Sequence, residues 1–275
     1  MLVDFMIIGA QKSGTTSLAS QLSSHPEICF CKIKEPGYFH STTDWRMNLE
    51  GYHQLYSPVE GQILGEASTM YTFLPEFRNT YKKLYEYNPN LKFIYIMRHP
   101  VERIVSHYTH RMLRNQVKEP LETAVFNDPS YINRSRYGLQ IQPYINHFGR
   151  ENILLLIFEE YVSDQLMTLE KIADFLKIDA APLKTVDTKP KHQSVGNTYL
   201  KYQSFRNLAN ADAFKSVRGL IPVSLRKSIR QKLSNQIQEK PEFSQELREL
   251  LWQFVEDDVC KIETLLQRNL TVWRK

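Results

Sequence analysis

Short apolar runs alternate with amphipathic stretches over the first two thirds of the chain. The run Phe5-Met6-Ile7-Ile8 predicts a buried parallel strand, followed by a Gly-bounded loop and a helical pattern that opens at Thr15 or Thr16. A short strand is expected at 62–64, and a helix at 75–88, opened by Pro75 and closed before Asn88-Pro89. The apolar run 91–97 is the strongest strand signal, and Pro100 then stands at a first helical position, with the helix running to about residue 114. A helix at 139–148 leads to a strand at 153–158. The next helix, 164–176, carries Leu166, Leu169, Ile172, Ala173 and Leu176 at the spacing of one buried face. Residues 185–197 are polar and aperiodic and read as a long loop, and about 200–270 is helical in pattern.

Strand–helix alternation of this kind predicts an α/β chain: a three-layer, P-loop-like fold with a central parallel sheet flanked by helices. One domain is expected over 1–275, with its core in 1–180 and a loop and helical part in 181–275. At 275 residues and 42% hydrophobic content the chain can bury one large core. Its formal charge of +5 suits either an enzyme handling polyanionic ligands or an ordinary solvated surface. The basic runs at Lys82-Lys83 and 226–232 read as solvated faces rather than polyanion grooves, so no nucleic-acid partner is expected. Mean hydropathy is −0.43, and no apolar run approaches the roughly 18 residues that a membrane span needs. Met1-Leu2-Val3-Asp4 leads directly into the first strand, so neither signal peptide nor membrane anchor is expected. Three cysteines are an odd number for a disulfide framework; Cys29 and Cys31 share one strand face and read as reduced thiols of a cytoplasmic core.

The loop from Gly9 to Ser17 carries the chemistry. A strand, a Gly loop and a helix start in that order turn free backbone N–H groups toward one anion. Nucleotide triphosphatases use G-x-x-x-x-G-K-[ST]; here Gly9 and Gly14 have that separation, but Thr15-Thr16 follow and Lys12 stands inside the loop. The arrangement suits a phosphate donor other than a triphosphate. In a parallel sheet, ligands bind beyond the carboxyl ends of the strands. Arg98 ends the strong strand and offers a bidentate phosphate fork, with Ser106 eight residues later. Glu66, after Ile63-Leu64-Gly65, is a candidate general base. His107 and His110 are spaced i, i+3 without a third ligand near in sequence, so no metal site is expected.

These residues match a known family. The stretch GAQKSGTTSL (9–18) resembles the 5′-phosphosulfate loop of sulfotransferases that use 3′-phosphoadenosine-5′-phosphosulfate (PAPS), and MRHPVERIVSHY (97–108) resembles their 3′-phosphate segment. KEPGYF (34–39) is similar to the KEPHFF element of heparan sulfate sulfotransferases and their bacterial relatives. GEASTMY (65–71) is similar to their E-K-S-x-x-Y segment, and LLQRNLTVW (265–273) to their Trp-terminated tail. The resemblance implies Lys12 and Glu66 as catalytic residues. It implies Gln11, Lys12, Ser13, Gly14, Thr15, Thr16, Ser17, Arg98 and Ser106 around PAPS, with Lys191 and Gly196 in a late closing loop. Lys34, Tyr38, Phe39 and Tyr71 are expected near the acceptor, although core packing explains the aromatic stretch equally well. No metal is implied, and the desulfated product is 3′-phosphoadenosine-5′-phosphate (PAP). The chain departs from the heparan pattern at Ala67, where the family has Lys, and at Gly37 and Tyr38, which replace the His and first Phe of KEPHFF. The expected function is transfer of a sulfuryl group to a hydroxyl or amine of a small molecule by a bacterial tailoring enzyme. A sugar or glycolipid is the alternative acceptor.

Overall fold

The computed structural model describes residues 1–41, 44–185, 198–200, 234–236 and 243–274. Five strands form one parallel sheet: β1 (Phe5–Gly9), β2 (Ile28–Phe30), β3 (Ile63–Ala67), β4 (Lys92–Met97) and β5 (Ile153–Ile157). Their order is β2-β3-β1-β4-β5, with every residue of β1 buried at the centre. Phe5 lies opposite Gly65 of β3 on one side and Lys92 of β4 on the other.

Strand side chains alternate between faces, so each strand feeds two cores. Met6, Ile8, Leu64, Phe93, Tyr95 and Met97 pack with Tyr144, Phe148, Ile262 and Trp273 on one face. Phe5, Ile7, Ile94 and Ile96 pack with Leu18, Leu22, Leu169 and Ile172 on the other. The result is the expected three layers. Cys29 and Cys31 both pack toward the first of these cores. A third cluster joins the helix Pro100–Leu113 to Tyr131, Phe243 and Leu251.

Several expectations are corrected. The helix expected at 75–88 begins only at Thr80, and Pro75 lies in the preceding turn. The Gln140 side chain pins that turn by accepting from the Leu74 N–H at 2.8 Å and donating to its carbonyl at 2.9 Å. Such tertiary bonds outweigh the helix-opening preference of a proline. On the helix Gln165–Leu176, which Asp164 caps, Leu166 is exposed and the buried face starts at Thr168. The helical pattern expected for 200–270 contains a short antiparallel pair, Thr198–Leu200 with Ser234–Gln236, before the helices Gln245–Gln253 and Glu256–Leu266. Lys191, Gly196 and the basic run 226–232 lie outside the described residues.

The topology also locates the crevice. From β1 the chain crosses to β2 on one side, and from β4 it crosses to β5 on the other. The connections diverge between the adjacent strands β1 and β4, the switch point at which open parallel sheets bind ligands.

Candidate active site

The loop after β1 opens into this crevice. Gly9 packs so tightly that a Cβ would stand 2.4 Å from the Tyr95 ring and 2.8 Å from Thr72 Oγ1. Lys12 and Gly14 both take left-handed backbone angles, with φ of 73° and 86°. A Cβ on Gly14 would also meet the Phe158 ring at 2.9 Å. Gly14 caps the helix Thr15–Leu22 without a side-chain acceptor, and no acidic residue stands in its first turn. The first N–H groups of that helix therefore have no intrahelical partner and lie at the positive end of its dipole. Ser13 is fully buried, and its hydroxyl has no hydrogen-bond partner among the described residues. The Tyr137 hydroxyl beside it donates instead to the Arg98 carbonyl at 2.7 Å.

Lys12 makes no hydrogen bond or ion pair among the described residues, and its pKa is lowered to about 8. Burial is the main cause, followed by the positive charges of Arg114, Lys34, Arg98 and Arg103. Arg98 is largely buried at the end of β4, with its guanidinium 5.2 Å from the centre of the Phe158 ring that also backs Gly14. One aromatic ring thus joins the Lys12 loop to the Arg98 segment. Arg98 meets Glu102 at a loose 3.6 Å, and Glu102 is shared with Arg248 at 2.6 Å. Ser106 is half-buried farther along the same helix. Gln11 is held by Arg134, whose Nη1 donates to Oε1 at 3.1 Å. Thr15 is buried, while Thr16 and Ser17 are half-buried. These are features of an anion cradle in which cations outnumber acids.

Glu66 lies on β3, directly opposite Met6 of β1, and is fully buried. Its Oε2 accepts from the Tyr52 hydroxyl and from Tyr56 at 3.4 Å, while its buried Oε1 has no hydrogen-bond partner among the described residues, with the Ser68 and Tyr71 hydroxyls nearby. Burial raises its pKa above the usual carboxylate range, and the hydroxyl donors only partly offset this. Glu66 therefore sits on the strand beside the Lys12 loop but is held by neutral hydroxyls.

The segment 34–39 is strapped to the end of β3. The Glu35 N–H donates to the Ala67 carbonyl at 2.9 Å, the Gly37 N–H to Ser68 Oγ at 3.2 Å, and Thr69 Oγ1 to the Glu35 carboxylate at 3.2 Å. Lys34 is exposed, pairs with Glu35 at 3.1 Å, and its charge reaches Lys12. Phe39 has no exposed surface; it packs against Trp45, Tyr52, Tyr71 and Tyr87, so it is core rather than an acceptor-contacting wall. Tyr71 is likewise buried and reaches Glu66 instead of open space. Tyr38 is half-buried, stacks on Tyr52 with ring centres 4.6 Å apart and donates to the Trp45 carbonyl. His107 is buried against Tyr131, and no metal-binding group of three His, Cys, Asp or Glu gathers among the described residues.

Sequence reasoning missed Arg103, Arg114 and Arg134, and also Tyr52 and Tyr56. Tyr52 lies in the short helix Leu49–His53, and Tyr56 follows Tyr52 four residues on, outside the helix. Arg103 and Arg114 stand about three helical turns apart along the helix that ends at Leu113, with Arg114 as its C-cap, and Arg134 comes from a separate segment.

A family model for the sulfotransferase domain matches residues 2–264. The chain belongs to the sulfotransferase family. It is 36% identical over 127 residues to the Membrane-associated sulfotransferase kil1 of Dictyostelium discoideum, covering 44% of this chain and 26% of that protein. It is 27% identical over 181 residues to the mouse Heparan sulfate glucosamine 3-O-sulfotransferase 3A1, covering 62% and 44%. Against human Carbohydrate sulfotransferase 15 the identity is 26% over 247 residues, with 64% and 44% covered. The aligned regions thus span between a quarter and less than half of these relatives' lengths. A crystallised sulfotransferase from Alicyclobacillus acidocaldarius shares the fold along all of both chains, with a TM-score of 0.70 and 24% identity.

Proposed function

We propose that this sulfotransferase moves a sulfuryl group from PAPS to a hydroxyl or amine of a small-molecule acceptor, releasing PAP. The observation that carries the reading is Lys12, a half-buried cation with no acidic partner, standing in a left-handed loop beside an unpaired Ser13 hydroxyl and a helix start. Those donors fit the 5′-phosphosulfate group, and Arg98 with Ser106 fits a separate 3′-phosphate.

PAPS supplies a sulfuryl group already activated on a phosphate oxygen. As that S–O bond breaks and the new bond to the acceptor forms, negative charge gathers on the phosphate oxygen. Lys12 and the N–H groups of Gly14 to Thr16 stabilise it, in the manner of an oxyanion hole. Glu66 accepts the proton that the acceptor gives up, and its raised pKa makes it a better base than an exposed carboxylate. The roles of Gln11, Thr15, Thr16 and Ser17 around the phosphosulfate, and of Lys34 and Tyr38 beside the acceptor, belong to the same proposal.

A carbohydrate acceptor is the second reading, favoured by relatives named for heparan sulfate and carbohydrate. A reducing, cytoplasmic setting is supported by Cys29, Cys31 and Cys260, all of them free thiols. No helix among the described residues is long and apolar enough to cross a membrane.

Calorimetric titration with PAP of the wild-type protein and of Arg98→Ala tests the donor. Wild type is expected to bind, and the variant to lose about 2–5 kcal/mol, as when one partner of a desolvated charge pair is removed. Binding of ADP or ATP in place of PAP would return the loop to the nucleotide kinases.

A further inference from the structure

The backbone that presents Arg98 is enclosed by a closed ring of contacts from three distant parts of the chain. The Tyr137 hydroxyl donates to the Arg98 carbonyl at 2.7 Å and accepts from the Arg98 N–H at 3.4 Å. The N–H of His99 donates to Glu159 Oε1 at 2.9 Å. The other oxygen of the same carboxylate accepts from the Trp273 indole N–H at 2.9 Å. The Trp273 ring then lies 5.8 Å from that of Tyr137, which closes the circuit.

Trp273 is buried, and its segment is anchored independently of the site. The Leu270 N–H donates to Glu263 Oε1 at 2.7 Å, Arg274 pairs with Glu263 at 2.8 Å, and Leu270 is itself in the core. A segment fixed in this way can brace the turn after β4. Arg98 needs such support because, among the described residues, its guanidinium has only the loose contact with Glu102 and the face of Phe158 to hold it.

We propose that Trp273 and Glu159 form a brace that fixes the Arg98 turn for a 3′-phosphate. They are positioning residues that touch neither the nucleotide nor the acceptor. The inference rests on the reading of Arg98 given above. A hydrogen bond shared by two segments orients both, and losing it allows the turn to sample positions from which the guanidinium cannot meet the phosphate.

The test is calorimetric titration with PAP and with adenosine 5′-phosphate, which lacks the 3′-phosphate, on wild type, Trp273→Phe, Glu159→Gln, Arg98→Ala and the double variant Trp273→Phe with Arg98→Ala. Trp273→Phe keeps an aromatic ring in the core and removes the N–H together with the rest of the pyrrole ring; adenosine 5′-phosphate controls for the volume lost. It is expected to weaken PAP about three- to tenfold, the worth of one hydrogen bond, and to leave adenosine 5′-phosphate within about twofold. In the Arg98→Ala background the same change should cost nothing further. Equal losses for both nucleotides, an additive double variant, or unchanged PAP affinity in a folded protein would overturn the brace. If Trp273→Phe does not fold, as judged by thermal unfolding, Glu159→Gln carries the same comparison. Wild type binding PAP no more tightly than adenosine 5′-phosphate would overturn the reading of Arg98 itself, and the brace with it.

Discussion

At the carboxyl ends of β1 and β4, Lys12, Arg98 and Arg114 gather with Lys34 and the buried Arg103. One strand away on β3, Glu66 stands among four hydroxyls and meets no cation among its hydrogen-bond partners. Desolvation acts on both sides and disfavours the charged form of each group, so the pKa of Lys12 falls and that of Glu66 rises. The remedies differ. On the cation side, no described acid offsets Lys12, so an arriving anion is what would raise its pKa again. On the carboxylate side, hydroxyls supply neutral donors that only partly offset the effect of burial, and no ion pair locks Glu66 among the described residues. Had a lysine followed Glu66, as in the heparan pattern, a cation would stand in sequence next to the base; Ala67 leaves the tuning to hydroxyls.

Replacing Glu66 attacks this contrast most directly. Glu66→Gln is expected to lower turnover about 10²–10⁴-fold, the span of general base catalysis, while PAP binding stays within twofold of wild type. Unchanged turnover in a steady-state assay would remove Glu66 as base.

Gly14→Ala tests the cradle's backbone. An alanine at a φ of 86° with Phe158 only 2.9 Å from its Cβ should cost about 1–3 kcal/mol of stability by denaturant unfolding, and PAP binding should weaken with it. A stability within 0.3 kcal/mol of wild type (roughly the error of such comparisons) would show that the left-handed turn is not required.

The pH dependence of PAP affinity separates the two sides further. Lys12 is charged below its pKa of about 8, and a bound phosphate raises that pKa. Above about pH 7, where the phosphates of PAP are fully ionised, affinity should therefore be level to about pH 8 and fall beyond it, by up to about tenfold per unit until the pKa of the complex is reached. Titrations in buffers of different ionisation enthalpy should show proton uptake near pH 8–9; an affinity level up to pH 9.5 would contradict the assignment of Lys12. The same shift affects folding: between the lowered pKa and that of an unfolded lysine, the unfolded chain binds more protons, so the empty loop gains stability as pH rises.

The smallest effect belongs to Tyr52→Phe. The Tyr52 hydroxyl lowers the pKa of Glu66 by donating to it, so its loss should move the acid limb of the kcat/KM profile upward by up to about one unit. A limb that moves down or stays would mean that Tyr52 only packs.

Much of the fold was legible in the chain because hydrophobic periodicity is a local signal. The central strands, the helix beginning at Pro100 and the capped helix after Asp164 follow from it directly. The failures are places where distant residues decide. Pro75 opens no helix because Gln140, far along the chain, holds Leu74, and Leu166 extends past the packed surface of its helix. In the candidate site, the spacing of Gly9, Lys12 and Gly14 was enough to find the anion loop, since a glycine loop before a helix start is written in consecutive residues. Phe39 and Tyr71 lie in the matching motifs, but packing turned them into the core and toward Glu66.

What the sequence determined by itself is the set of parts: a parallel α/β core, a glycine loop with a lysine before a helix start, an arginine at a strand end and a carboxylate on a neighbouring strand. Only the tertiary structure decided their electrostatics. Burial depends on what the rest of the chain places overhead, so neither the lowered pKa of Lys12 nor the raised pKa of Glu66 can be read from the neighbours of either in sequence. The ring through Tyr137, Glu159 and Trp273 is of the same kind, because its members are separated along the chain and meet only when the sheet has formed and the C-terminal segment has docked beside it.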